Sequence, residues 1–98
     1  NRLAHSVGIS TRDAFSLFEH FNPGQSLPAR AARISSGEFT APSFEVAMAR
    51  KDVRLMVEEA QCHGVDLFVM PGVAAMFDAG LARGEGALDA ASAARMPL

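Results

Sequence analysis

A single cysteine, Cys62, stands in the 98 residues, so no internal disulfide can staple the fold. No apolar run approaches the roughly 20 residues that a membrane span needs, and no signal-like segment is present. Charge of one sign is missing as well: 9 basic and 11 acidic side chains, mixed along the sequence, leave a formal charge of −2. Such a surface offers no field to draw in DNA or an anionic membrane, and no helix concentrates arginine and lysine as phosphate contacts demand. A nucleic-acid reader is therefore disfavoured, and a soluble protein of a reducing compartment, the cytoplasm, fits best. There is no initiating methionine, and NRLAHSVG reads as the last turns of a helix that begins upstream, so a piece of a longer chain is expected.

Self-contained chemistry is scarce. His5, His20 and His63 are each isolated from cysteines and carboxylates at zinc-binding spacing, so no metal site is expected. Cys62, near a helix C-terminus, lacks the positive dipole end that activates a thiol and reads as a small buried side chain. Ser35, Ser36 and Gly37 read as a helix end. The glycines are scattered as caps and never form a phosphate-cradling loop beside a strand, which leaves this chain no nucleotide site of its own.

What the sequence does contain is helical punctuation. Hydrophobic residues make up 49% of it, enough for one domain, residues 1–98, with one modest core. The longest stretch, a helix over 43–63, is opened by Pro42 and Ser43 and closed by Gly64. At about 100° per residue, Phe44, Met48, Leu55 and Cys62 form one apolar stripe, and Val46, Val53, Val57 and Ala60 form another almost opposite. Two opposed apolar faces predict a buried central helix. Around it the pattern predicts a helix ending at Gly8, one capped by Ser10 or Thr11 and running to Phe21, and one from Ser26 to Gly37 with Pro28 in its first turn. Further on come a helix from Pro71 to Gly84 and a short one over Leu88 to Ala94. Val65 to Met70 has strand-like composition but no partner strand, so an extended connector is expected. The fold class is all-α, about five or six helices around the central one.

Lys51 interrupts the first stripe, projecting with Phe44, Met48 and Leu55. One reading has its stem covering apolar surface while the ammonium reaches water near Glu58 or Asp52. The other makes it a ligand-binding cation. By pattern alone Phe44 is core and Asp52 a solvated carboxylate.

The run FEVAMARKDVRLMVEEAQCHGVDL, followed by LARGEGALDAASAA, resembles the C-terminal domain of the β-hydroxyacid dehydrogenases, typified by 3-hydroxyisobutyrate dehydrogenase and tartronate semialdehyde reductase. The resemblance is carried by Phe44 followed by Lys51, Asp52 and Val53, and by the closing Gly84, Gly86, Asp89 and Ser92; it covers nearly the whole chain and departs from the usual pattern at Val65 to Pro71. It implies a two-domain enzyme whose N-terminal Rossmann domain, absent here, binds most of the NAD or NADP. The catalytic lysine would lie upstream of Asn1, leaving no catalytic residue in this chain. Lys51 would then reach the cofactor near the nicotinamide, with Phe44 and Asp52 lining the substrate cleft.

The expected function is thus the substrate-cleft and dimerisation domain of an NAD(P)-dependent 3-hydroxyacid dehydrogenase. Its partners would be the Rossmann domain, a small hydroxyacid and a second copy of the chain. The alternative is a free-standing helical protein-interaction module, in which Lys51 is only a snorkelling side chain.

Overall fold

The computed structural model describes residues 1–95, and among these every regular element is helical. Helix α1 (Arg2–Ser6) stops at Gly8, whose φ of 87° is a left-handed value that suits a residue without Cβ. Ser10 caps α2 (Thr11–Ser16), its Oγ accepting the Asp13 N–H at 3.0 Å. The expected continuation to Phe21 tightens instead into a 3₁₀ turn, Leu17–Glu19. After a second 3₁₀ turn, Pro23–Ser26, helix α3 (Leu27–Ser36) carries Pro28 in its first turn and ends at Gly37. Helix α4 (Val46–Cys62) is the long one, and α5 (Met70–Ala82) follows it with Pro71 in its first turn. Val65 to Val69 is a connector without strand pairing, as expected. The all-α class and the helix count therefore hold.

The long helix starts later than its sequence suggests. Helix 43–63 was expected with Ser43 as cap, but Val46 is the first helical residue and Glu45 occupies the cap position without a side-chain bond. The physical reason lies elsewhere in the chain. The Val46 and Ala47 N–H groups, orphans at a helix start, donate to the carbonyls of Leu88 and Gly86, each at 2.9 Å. Ala90 N–H donates to the Phe44 carbonyl at 2.7 Å, and Glu45 faces Asp89 in a single antiparallel bridge. Residues 43–45 are thereby kept out of the helix, with Glu45 in an extended conformation. The same pairing corrects the last helix: only Ala90–Ala94 turns, as 3₁₀, after Asp89. Gly86 permits the close approach, because a Cβ there would sit 3.1 Å from Leu81 Cδ2 and 3.7 Å from Ala47 Cβ.

The core is small. Phe39, Val46, Ala49, Val53, Ala60 and Ala91 are its buried apolar side chains among the described residues. All the α4 members lie on the Val46 stripe, which seats against α5; Val46 Cγ1 stands 3.5 Å from where a Cβ of Gly80 would be. The opposite stripe is open: Phe44, Met48 and Leu55 are 44–49% exposed, and Cys62, expected to be buried, is exposed too. Phe15, Leu17, Phe18 and Phe21 are likewise uncovered. The radius of gyration, 15.4 Å, exceeds the roughly 13 Å of a compact domain this long, and the extents of 43 × 30 × 18 Å give an elongated body.

The two stripes should respond differently to truncation. Val53→Ala is expected to cost about 1–3 kcal/mol, whereas Leu55→Ala should stay within about 0.5 kcal/mol. Urea unfolding of the 98-residue chain measures both, and equal losses would show that the Leu55 face is buried after all.

Candidate functional site

Lys51 leaves the second turn of α4 on the open face. Its ammonium lies 3.5 Å from Asp52 Oδ1, and both side chains are 43% exposed. Met48 and Leu55, three and four residues away, flank it on the same face. Phe44, just before the helix, is 45% exposed. The structure thus brings Lys51 and Asp52 together, and it leaves Phe44 open to solvent where the pattern alone made it core. Lys51 does not stack on Phe44; the cation–π contact among the described residues joins Arg2 to Phe68, 4.9 Å from the ring centroid. His5, His20 and His63 are exposed, and no group of three metal-ligating side chains occurs among the described residues.

A second polar centre sits where the Phe44 segment meets Asp89. The Asp89 residue is 3% exposed. Its Oδ2 accepts from Ser43 N–H at 3.0 Å, from Ser43 Oγ at 3.2 Å and from Arg33, while Oδ1 accepts Ala91 N–H at 2.9 Å. Burial is the largest single influence on its pKa and pushes it up. The backbone donors of Ala91 and Ser43, the Arg33 guanidinium and the Ser43 hydroxyl together outweigh it, so the carboxyl titrates below its ordinary value. Beside this centre opens a cleft of about 160 Å³, edged by Ser26, Arg30, Arg33, Ser43, Asp89 and Ala91. Glu85 forms a smaller analogue. Arg83 grips it with two bonds of 3.1 Å and Arg95 adds another, and Arg83 foremost holds its carboxyl below the usual value against partial burial.

In the sequence Asp89 is marked only as part of the closing Gly84, Gly86, Asp89 and Ser92 pattern, and nothing marks Arg33. The pair is separated by 56 positions, and no periodicity or cap rule reaches that far.

A family described as NAD-binding of NADP-dependent 3-hydroxyisobutyrate dehydrogenase matches residues 3–97. The chain belongs to this family. No curated protein matches it. Among solved structures, the reductive aminase from Aspergillus terreus in complex with NADPH4, cyclohexanone and allyl amine superposes with a TM-score of 0.82 at 21% identity; the match covers 94% of this chain and 33% of that one. The same enzyme with NADPH and ethyl levulinate gives identical figures. With NADPH and ethyl-5-oxohexanoate it gives 0.80 at 22%, covering 93% and 33%. The 3-hydroxyisobutyrate dehydrogenase-like chain therefore spans about a third of the length of these structures, and at such identity they establish its fold alone.

Both lowered carboxylates tie stability to acid. A depressed folded-state pKa contributes stability that is fully present above the unfolded value and is lost as pH falls through the folded one. Unfolding free energy should accordingly drop below about pH 4. Asp89→Asn should lower it by about 1.5–3 kcal/mol near neutrality and flatten the acid limb. Urea titrations between pH 7 and 3 test this, and an unchanged acid limb in the variant would remove Asp89 from the account.

Proposed function

We propose that the chain is the C-terminal domain of an NAD(P)-dependent 3-hydroxyacid dehydrogenase, closing a substrate cleft formed with an N-terminal Rossmann domain. The observation that carries this reading is a cation on an uncovered apolar face: Lys51 projects among Met48 and Leu55 with Asp52 beside it. A helix that merely completed a core would have that face covered, and a merely solvated helix would not be apolar there.

The dinucleotide itself needs a partner domain. Among the described residues there is neither a strand nor a glycine-rich loop opening a helix, so this chain offers the cofactor side chains and no phosphate cradle. When bound, the nicotinamide supplies or takes the hydride exchanged with the carbon bearing the hydroxyl. Lys51 places a positive charge at the nicotinamide end of the cleft, and Asp52, 3.5 Å away, restrains where that ammonium can go. Phe44 presents an aromatic wall that excludes water from the reacting centre. Small hydroxyacids of the 3-hydroxyisobutyrate and tartronate semialdehyde class are the proposed substrates. The free, exposed thiol of Cys62 suits the reducing cytoplasm.

The same reading accounts for the apolar side chains left open on and after α2. Phe15, Leu17, Phe18 and Phe21 are each more than half exposed, a patch that a second subunit would cover. Light scattering is expected to report a dimer or larger species, and a monomer at high concentration would count against that interface.

Lys51→Met separates a working cation from a snorkelling one. It keeps the apolar stem, so stability should move by less than about 1 kcal/mol. In the intact dehydrogenase kcat/KM should fall about ten- to a hundredfold, the worth of one charge-assisted contact. Wild-type kinetics in a stably folded variant would favour the free-standing interaction module.

A further inference from the structure

We propose that Asp89 is a positioning residue for Phe44: it fixes the aromatic wall at the substrate end of the cleft and leaves the cofactor end, at Lys51, untouched. This rests on the dehydrogenase reading above.

Phe44 lies outside any helix and is 45% exposed. With nearly half of the residue uncovered, where the ring sits depends strongly on its backbone. That backbone is fastened on both sides. The residue before it, Ser43, gives Asp89 Oδ2 both its N–H and its hydroxyl, at 3.0 and 3.2 Å. The Phe44 carbonyl accepts Ala90 N–H at 2.7 Å, and Val46 N–H reaches the Leu88 carbonyl at 2.9 Å. Asp89 also donates its own N–H to the Phe39 carbonyl at 2.9 Å, and Phe39 is buried. One residue thus ties the loop before Phe44 to the 3₁₀ turn after itself, where Oδ1 holds Ala91 N–H. Arg33 bonds the same Oδ2 that Ser43 uses and keeps the carboxylate turned toward the loop.

Lys51 is seated by different means. Its helix is seated against α5 through Val46, Ala49, Val53 and Ala60, and Lys51 lies more than a full turn beyond the start of α4 that Asp89 ties down. Loss of the carboxylate should therefore loosen Phe44 and spare Lys51. A purely structural role would weaken both together.

The test is a double-mutant cycle in the intact dehydrogenase, using 3-hydroxyisobutyrate or, if it turns over faster, tartronate semialdehyde. Phe44→Ala and Asp89→Asn should each raise KM about tenfold, and the double variant should be no worse than Phe44→Ala alone, because both remove the same wall. The Kd for NADPH, read by its fluorescence, should stay within about twofold of wild type. Multiplying KM effects, or a parallel rise in the NADPH Kd, would reduce Asp89 to a stability residue. Wild-type kinetics in Phe44→Ala would instead refute the cleft role of Phe44, and no turnover of either substrate would refute the dehydrogenase reading; each takes the role of Asp89 with it. Should Asp89→Asn fail to fold, Ser43→Ala removes only the hydroxyl arm. Its smaller rise in KM, about twofold, should vanish in the Phe44→Ala background, and its persistence there would overturn the proposal.

Discussion

A carboxylate that is 3% exposed is the constraint on which the junction of α3, the loop before α4 and the final turn depends. Unpaired, a charge so far from water would cost several kcal/mol. Asp89 avoids that by collecting two backbone N–H groups, a hydroxyl and a guanidinium. Those donors come from α3, from the loop before α4 and from the final 3₁₀ turn, so satisfying one charge fixes three segments at once. The start of α4 follows from it. With Ser43 drawn to Asp89, residues 43–45 stay outside the helix, and the first helical N–H groups turn to the carbonyls of Leu88 and Gly86.

Polar bonding of this kind matters here because apolar burial is thin. Six apolar side chains are buried among the described residues, whereas Phe15, Leu17, Phe18, Phe21, Leu27 and the Met48–Leu55 face of α4 stand open. A chain with so much uncovered apolar surface has an incomplete set of contacts. The solved structures that share its fold are about three times as long, and the proposed Rossmann domain and second subunit would cover these faces.

Much of the local structure was legible in the sequence. Ser10, Gly37, Pro28 and Pro71 mark helix ends through interactions within three or four residues, and the structure places them there. Lys51 stood out because it broke an apolar stripe, and that stripe is indeed the one left open around it. The Phe44 and Asp52 assignments came from the family resemblance, since pattern alone made one core and the other solvent.

The sequence by itself determined where helices can form, because periodicity and caps are properties of a short stretch of chain. Only the tertiary structure decided which of the two α4 stripes is covered. Helical spacing defines a face in the helix's own frame and says nothing of where α5 will lie. It also decided that Ser43 belongs to a loop, that Leu88 lies outside the last turn and that Arg33 meets Asp89. Each depends on bonds between segments tens of residues apart, and the free energy of a buried charge, which no local signal records, selects them.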